Sequence, residues 1–417
     1  SQERLMGKIN PKHGISTLVN HVAEEGHPQH SHIAPIYMTS AFGFPDVATG
    51  AAIFKGTDPG YTYTRFKNPN QVQLAAKYAA LEGLDLIRAQ PDKDVEEIVA
   101  GQVFTTGMSA ITSAIMATIR SGQTIIAQEA LYGATYVFLN EYAPRYGVKV
   151  VWLHNIRNED WEAAFAANPE AVMAYAETPA NPTLCIVDLA AVAEIAHRHN
   201  AWLYVDNTFA SPYGQRPLTL GADVVLHSST KYLAGHGVIV GGAAVSRHVD
   251  WVKGPLFGAV KNFGGSESPF DCWLAVMGLK TFELRMKAHC KNAMAVARYL
   301  EAHPKVERVY YPGLESHPDY ELAKKQMHCF GGMISFELRG GLQAGEALLN
   351  NVQTMTLAVS LGNTDTLISH PASMTHSGMP RAERLKVGLT DGLVRLSVGI
   401  ENVEDILEDL DQAFQHV

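Results

Sequence analysis

Two stretches decide the fold: Ala201-Trp202-Leu203-Tyr204-Val205-Asp206-Asn207-Thr208 and Ala222-Asp223-Val224-Val225-Leu226-His227-Ser228-Ser229-Thr230-Lys231-Tyr232. Each begins as an apolar run of strand type and ends abruptly in polar residues. Two neighbouring strands that finish this way set a carboxylate, two hydroxyls and an amine along one rim of a sheet. In open α/β sheets, ligands sit outside the carboxyl ends of the strands. A lysine there can condense with an aldehyde cofactor, and an aspartate can hold a pyridinium nitrogen. That is the chemistry of pyridoxal 5′-phosphate, PLP. Ser-Ser-Thr-Lys also suits a helix cap followed by a surface lysine, and Asp206 a turn cap. The two stretches alone leave both readings open.

Outward from this pair, strand-like and helical runs alternate. Residues 123–127, 148–153 and 171–176 have strand character, and 132–146 and 189–199 helical spacing. The alternation predicts a mostly parallel sheet covered on both faces, with 241–246 as a further strand. Residues 71–81 read as a helix and 84–97 as helix plus loop. Residues 268–300 read as one long helix, interrupted only by Gly278 and suited to bridge two units. Beyond it, 306–311, 332–338 and 393–398 read as strands, and 343–350 and 403–414 as helices. Residues 1–69 are rich in turn formers and read as an extended arm. The expected division is an arm at 1–69, a large α/β domain at 70–284, and a smaller C-terminal α+β domain at 285–417.

Hydrophobic residues make up 47% of the 417 positions and charged residues 18%, an ordinary globular balance. The net charge of −9, with no basic run, argues against nucleic acid or an anionic membrane as partner. No apolar run is long enough to span a bilayer. Residues 1–10 lack the apolar core of a secretory signal. Cys185, Cys272, Cys290 and Cys329 show no metal or redox spacing, so four free thiols and a cytoplasmic location are expected. His27, His30 and His32 cluster in a loop without a His-Glu-x-x-His pattern, so no metal site is expected there.

Two further stretches suit a phosphate. In Thr105-Thr106-Gly107-Met108-Ser109, Gly107 lets the backbone approach a ligand, and the helical run at 111–119 offers N–H groups at its start. In Tyr61-Thr62-Tyr63-Thr64-Arg65-Phe66-Lys67-Asn68-Pro69, a guanidinium is flanked by aromatics. A solvated surface arginine is the simpler reading of that stretch alone.

Taken in order, these pieces resemble the PLP-dependent transsulfuration family of cystathionine synthases and lyases, homoserine sulfhydrylases and methionine γ-lyases. The resemblance runs from Ile33-Ala34-Pro35-Ile36-Tyr37 to the last helix. It includes Leu131-Tyr132-Gly133, Glu177-Thr178-Pro179-Ala180-Asn181-Pro182-Thr183, His370-Pro371-Ala372-Ser373 and Leu393-Val394-Arg395-Leu396-Ser397-Val398-Gly399. It implies the aspartate aminotransferase-like fold, fold type I. It implies that Lys231 carries PLP and acts as base, its amine depressed by burial and nearby positive charge. Asp206 would hold the ring nitrogen, Tyr132 would stack on the ring and move protons, and Asn181 would contact the ring oxygen or the substrate. Gly107, Met108, Ser228 and Thr230 would hold the phosphate, with Tyr63 and Arg65 reaching in from a neighbouring subunit. Arg395, with Ser360 nearby, would grip the carboxylate of an amino-acid substrate. A homodimer with shared sites, paired into a tetramer, follows from the resemblance.

Within the family, Val359 before Ser360, the run 370–377 and the stretch 389–409 resemble methionine γ-lyases. Ala134 stands where the bacterial members carry a cysteine, and Lys261-Asn262 where they carry Lys-Asp. The missing thiol and carboxylate imply weaker methionine specificity or a preference for an activated homoserine ester. The expected reaction is γ-elimination of L-methionine to methanethiol, 2-oxobutanoate and ammonia. The alternatives are an O-acetyl- or O-succinylhomoserine sulfhydrylase, or a cystathionine γ-synthase or γ-lyase. From other classes, a PLP-fold protein without turnover and a dinucleotide-dependent dehydrogenase remain. The dehydrogenase needs a Gly-x-Gly-x-x-Gly turn that the Gly107 segment lacks. Residues 84–97 are longer than the family norm and have no functional account.

Overall fold

The computed structural model describes residue 10 and residues 12–417. The start of the arm, residues 1–9 and 11, lies outside the described residues. A seven-stranded sheet contains β1 (Ala100–Phe104), β2 (Thr124–Gln128), β3 (Lys149–Leu153), β4 (Ala171–Glu177), β5 (Trp202–Asp206), β6 (Val224–Ser228) and β7 (Gly242–Ser246). Its order is β1-β7-β6-β5-β4-β2-β3. The strands from β3 through β6 run parallel, and β7 and β1 add antiparallel pairings at one edge.

The two deciding stretches are adjacent strands, with Val205 opposite Val225 and Asp206 opposite Leu226. Alternate residues of β5 serve opposite cores. Leu203 and Val205 pack with the helices Asn158–Ala167 and Leu189–Arg198, and Tyr204 with the helix Gly107–Met116. Burial on both faces is why these strands read as continuous apolar runs.

A second, five-stranded sheet holds β8 (Val306–Tyr310), β9 (Met333–Leu338), β10 (Thr356–Leu357), β11 (Leu367–Ser369) and β12 (Leu393–Ser397), in the order β10-β11-β12-β9-β8. The helices Phe282–Ala302, Gly341–Asn350 and Val403–Phe414 form its core with it. A large, mostly parallel sheet and a smaller second one are what the fold type I expectation requires. No helix of the described residues is long and apolar enough to cross a membrane.

Three sequence expectations need correction. Residues 268–300 form two helices, Pro269–Leu279 and Phe282–Ala302, with a break at Lys280 and Thr281. The cause is Arg285, whose buried guanidinium takes the carbonyls of Gly278 (2.9 Å), Tyr232 (2.7 Å) and Leu233 (3.2 Å). The Gly278 carbonyl is the one an unbroken helix would give to the Phe282 N–H. Residues 132–146 change helical type, from α at Gly133–Val137 through a π turn at Phe138–Tyr142 to 3-10 at Ala143–Tyr146, where Pro144 cannot donate. Of the four cysteines expected to be free, Cys290 and Cys329 are joined, with Cα atoms 6.4 Å apart. Their separation of 39 residues gives no hint that the loop before β9 returns to the helix.

The 84–97 segment is tied to the body of the protein. Asp85 pairs with Arg216 Nε at 2.6 Å and accepts the Thr219 hydroxyl at 2.8 Å.

Gly278 also packs so closely that a β-carbon would collide with the Ala234 carbonyl oxygen. Gly278→Ala is expected to destabilise the fold by about 1–3 kcal/mol, the scale of overpacking. Urea unfolding followed by circular dichroism checks this, and an unchanged midpoint would contradict the packing assignment.

Candidate active site

One rim of the large sheet gathers the chemistry. Asp206 ends β5, and its Oδ1 accepts the Thr208 N–H (3.0 Å) and the Thr208 hydroxyl (2.6 Å). The same hydroxyl oxygen accepts the N–H of Ser228, at the end of β6, at 2.9 Å. Burial raises the Asp206 carboxyl, while the Thr208 hydrogen bonds and the charges of His227 and Lys231 pull it down. Beside it, in register on β4, stands Glu177. Its Oε2 accepts the Tyr132 N–H at 2.8 Å. Burial first, and the Asp206 charge second, push Glu177 well above the usual carboxylate range. Both carboxyls are raised, Glu177 the more strongly, and Asp206 is the one whose neighbours offset its burial.

Next to Asp206 lies the start of the helix Gly107–Met116. Thr106 caps it, accepting the Ser109 N–H at its hydroxyl (2.8 Å) and the Ala110 N–H at its carbonyl (3.1 Å). The N–H groups of Gly107 and Met108 take no part in those two bonds. A β-carbon on Gly107 would come 2.8 Å from Ser228 Cβ, so only glycine lets the helix start close on that residue. Thr230 Oγ1 accepts the Gly241 N–H at 3.0 Å. Helix start, Ser228 and Thr230 make a cup of the kind that takes a phosphate.

The second sheet supplies the opposite wall. Lys231 Nζ donates to Ser360 Oγ at 2.9 Å. Arg395, on β12, donates through Nη2 to the Ser360 carbonyl at 3.2 Å. Ser360 holds a left-handed φ of 87°, uncommon for a residue with a side chain. Burial first, and Arg395 next, hold the Lys231 amine below the ordinary lysine range, with Asp206 opposing. Tyr132 stands 57% exposed, next to the Glu177 hydrogen bond. Asn181 Oδ1 is buried without a hydrogen-bond partner among the described residues.

Tyr63 and Arg65 are not brought to this cup within the chain. Both are exposed, and Arg65 donates to the carbonyl of Lys261 in the helix Phe257–Phe263. No hydrogen bond among the described residues joins either to Gly107, Met108, Ser228 or Thr230. Lys261 and Asn262 are exposed at the same place, Val359 is exposed, and Ala134 is half-buried.

Sequence reasoning gave no role to Thr208 or Glu177. Glu177 ends a buried strand as Asp206 does, and that shared signal could have found it. Nor did it find the buried pair His227 and Glu82, 2.5 Å apart, of which Glu82 also takes the Asn207 amide at 2.8 Å. Among the described residues, no group of three or more His, Cys, Asp or Glu is placed to hold a metal ion.

The sequence pattern of a family described as "Cys/Met metabolism PLP-dependent enzyme" matches residues 16–415. The chain belongs to that family. It is 46% identical to an L-methionine gamma-lyase of Fusobacterium nucleatum subsp. nucleatum over 410 residues, covering 97% of this chain and 99% of the relative. It is 48% identical to an L-methionine gamma-lyase of Porphyromonas gingivalis over 378 residues, covering 90% of each. Among solved structures it is similar to a cystathionine gamma synthase from Xanthomonas oryzae pv. oryzae in complex with aminoacrylate and cysteine. There the TM-score is 0.88 and the identity 36%, covering 97% of this chain and 98% of that one.

The site of this PLP-dependent enzyme fits its cofactor. The Gly107 cradle closes without a side chain, the buried Asn181 oxygen has no hydrogen-bond partner among the described residues, and the buried Asp206 carboxyl favours a cationic neighbour.

Condensation with the cofactor aldehyde requires the unprotonated amine. The rate of PLP uptake should therefore rise with pH, with a midpoint below the ordinary lysine value of about 10.4. Arg395→Gln removes a depressing charge and should move that midpoint upward. Stopped-flow absorbance of PLP mixed with the cofactor-stripped chain measures both, and coincident midpoints would contradict the electrostatic assignment.

Proposed function

We propose that this enzyme carries out γ-elimination on sulfur amino acids, converting L-methionine and water to methanethiol, 2-oxobutanoate and ammonia. The observation that carries the reading is the meeting of Lys231 and Arg395 at Ser360, across from Asp206 and the cup. Its resemblance to L-methionine gamma-lyases over nearly the whole chain supports the substrate. Bound PLP would supply an electron sink for charge developing at the substrate α-carbon. Asp206 would hold the ring nitrogen and Asn181 the ring oxygen. Gly107, Met108, Ser228 and Thr230 would hold the phosphate. Arg395 would fix the α-carboxylate in a two-point grip, which orients the α-proton toward Lys231. Lys231, with its depressed amine, would take that proton. Tyr132, standing at the rim, would deliver a proton to the departing sulfur.

The reading includes a homodimer with shared sites, paired into a tetramer, in the cytoplasm. Tyr63 and Arg65, exposed and away from their own cup, suit delivery to a neighbouring subunit's phosphate. It also divides the chain into an arm at 1–69, a cofactor-binding domain at 70–284 and a small domain at 285–417.

A second reading is γ-replacement, as in an O-acetyl- or O-succinylhomoserine sulfhydrylase or a cystathionine γ-synthase, or γ-elimination of cystathionine. Ala134 and Asn262, which place no thiol and no carboxylate beside Tyr132 and Lys261, favour it. So does the likeness to a cystathionine gamma synthase.

Steady-state assays separate the two. Methanethiol and 2-oxobutanoate from millimolar L-methionine are expected, and homocysteine formed only from sulfide plus an acylhomoserine would replace the first reading with the second. Lys231→Ala should lower the rate by roughly a hundred- to ten-thousand-fold, the scale of losing a general base. For the shared site, Arg65→Ala and Lys231→Ala chains expressed together should show activity that neither shows alone. Mixed dimers without such recovery would place Arg65 outside the site.

A further inference from the structure

Against the turn that carries Ser228 and Thr230 lies a nook that the proposed chemistry does not use. Both carboxyl oxygens of Glu267 and the hydroxyls of Ser229 and Tyr78 are buried there without a hydrogen-bond partner among the described residues. Glu267 and Tyr78 are each 1% exposed and Ser229 is fully buried. Tyr78 comes from the helix Pro69–Glu82, Ser229 follows β6, and Glu267 precedes the helix Pro269–Leu279. Cys272, in the first turn of that helix, faces the carboxyl.

Two contacts fix the geometry. Gln71 donates to the Glu267 carbonyl at 2.8 Å, which pins the backbone. A β-carbon on Gly241 would come 2.6 Å from Ser229 Oγ and closer still to Glu267 Oε1, so both atoms rest on the same α-carbon. Gly241 is also the residue whose N–H reaches Thr230 Oγ1 (3.0 Å) and whose carbonyl takes the Ser229 N–H (3.0 Å). The carboxyl therefore bears on the backbone that sets one hydroxyl of the cup.

A carboxylate buried this deeply beside a thiol, with no cationic partner among the described residues, is costly, and such groups take up a proton instead. Burial pushes Glu267 well above the carboxylate range. A protonated acid offers one donor and remaining acceptor capacity, which the neighbouring Ser229 and Tyr78 hydroxyls can use.

We propose that Glu267 is carried as a neutral carboxylic acid and acts, through Ser229, Tyr78 and Gly241, as a positioning residue for the phosphate-gripping turn. The proposal rests on Ser228 and Thr230 forming that cup. Two measurements on the full chain test it. The infrared difference spectrum between wild type and Glu267→Gln should show loss of a protonated-acid carbonyl stretch; loss of carboxylate bands instead would overturn the proposal. PLP affinity, titrated by visible absorbance, should fall at least about tenfold in Glu267→Leu, the scale of a lost buried hydrogen bond. It should return to within about twofold of wild type in Glu267→Gln, which keeps a donor and an acceptor. Equal affinity in all three proteins, or a Gln variant as weak as Leu, would sink the positioning role. If the Leu variant does not fold, the infrared result and the Gln affinity decide. Ser228→Ala and Thr230→Ala variants with undiminished PLP affinity would fault the cup itself, a failure separate from that of Glu267, because the infrared signal does not depend on the cofactor.

Discussion

The hydroxyl of Thr208 is the interaction on which the site depends. It donates to Asp206 and accepts from Ser228, so one oxygen joins the ends of two neighbouring strands. Parallel strands lie about 4.8 Å apart. That spacing, closed by Thr208, sets how far the Asp206 carboxyl stands from the hydroxyls proposed to hold a phosphate. The rest of the rim is hung from this pair. Glu177 sits in register on the next strand and holds the Tyr132 amide, and the helix start at Gly107 closes on Ser228 because no side chain intervenes.

The second sheet brings what the first cannot. A rim of strand ends offers hydroxyls, carboxylates and backbone amides, but a substrate carboxylate needs a cation outside the cofactor's footprint. Arg395 on β12 is the cation placed to provide it. Its charge also helps hold the Lys231 amine below the ordinary lysine range, so the group that would bind substrate conditions the group that would deprotonate it.

Much of this was legible in the sequence, for physical reasons. Strands buried on both faces announce themselves as apolar runs, and the polar residues that end them mark the rim, which is how Asp206, Ser228, Thr230 and Lys231 came into view. What stayed hidden depends on contacts between distant segments. The break at Lys280 and Thr281 follows from Arg285 seizing the Gly278 carbonyl, which no helical periodicity reports. The pairing of Cys290 with Cys329 and of Glu82 with His227 arises from packing across the fold. Glu177 was quoted within a motif but given no task, because its partner is a backbone amide supplied by another loop. Arg65 was picked out by its aromatic neighbours, and within one chain it reaches only the Lys261 carbonyl.

Ser360 gathers two contacts in one residue. Its hydroxyl meets the lysine amine and its carbonyl meets the guanidinium, on a backbone turned to the left-handed side. Such a turn costs of order 1–3 kcal/mol and persists only when its surroundings enforce it. The proposed base and clamp would therefore be geared through a single joint, and drift in the connector between β10 and β11 would bear on substrate affinity and proton transfer together.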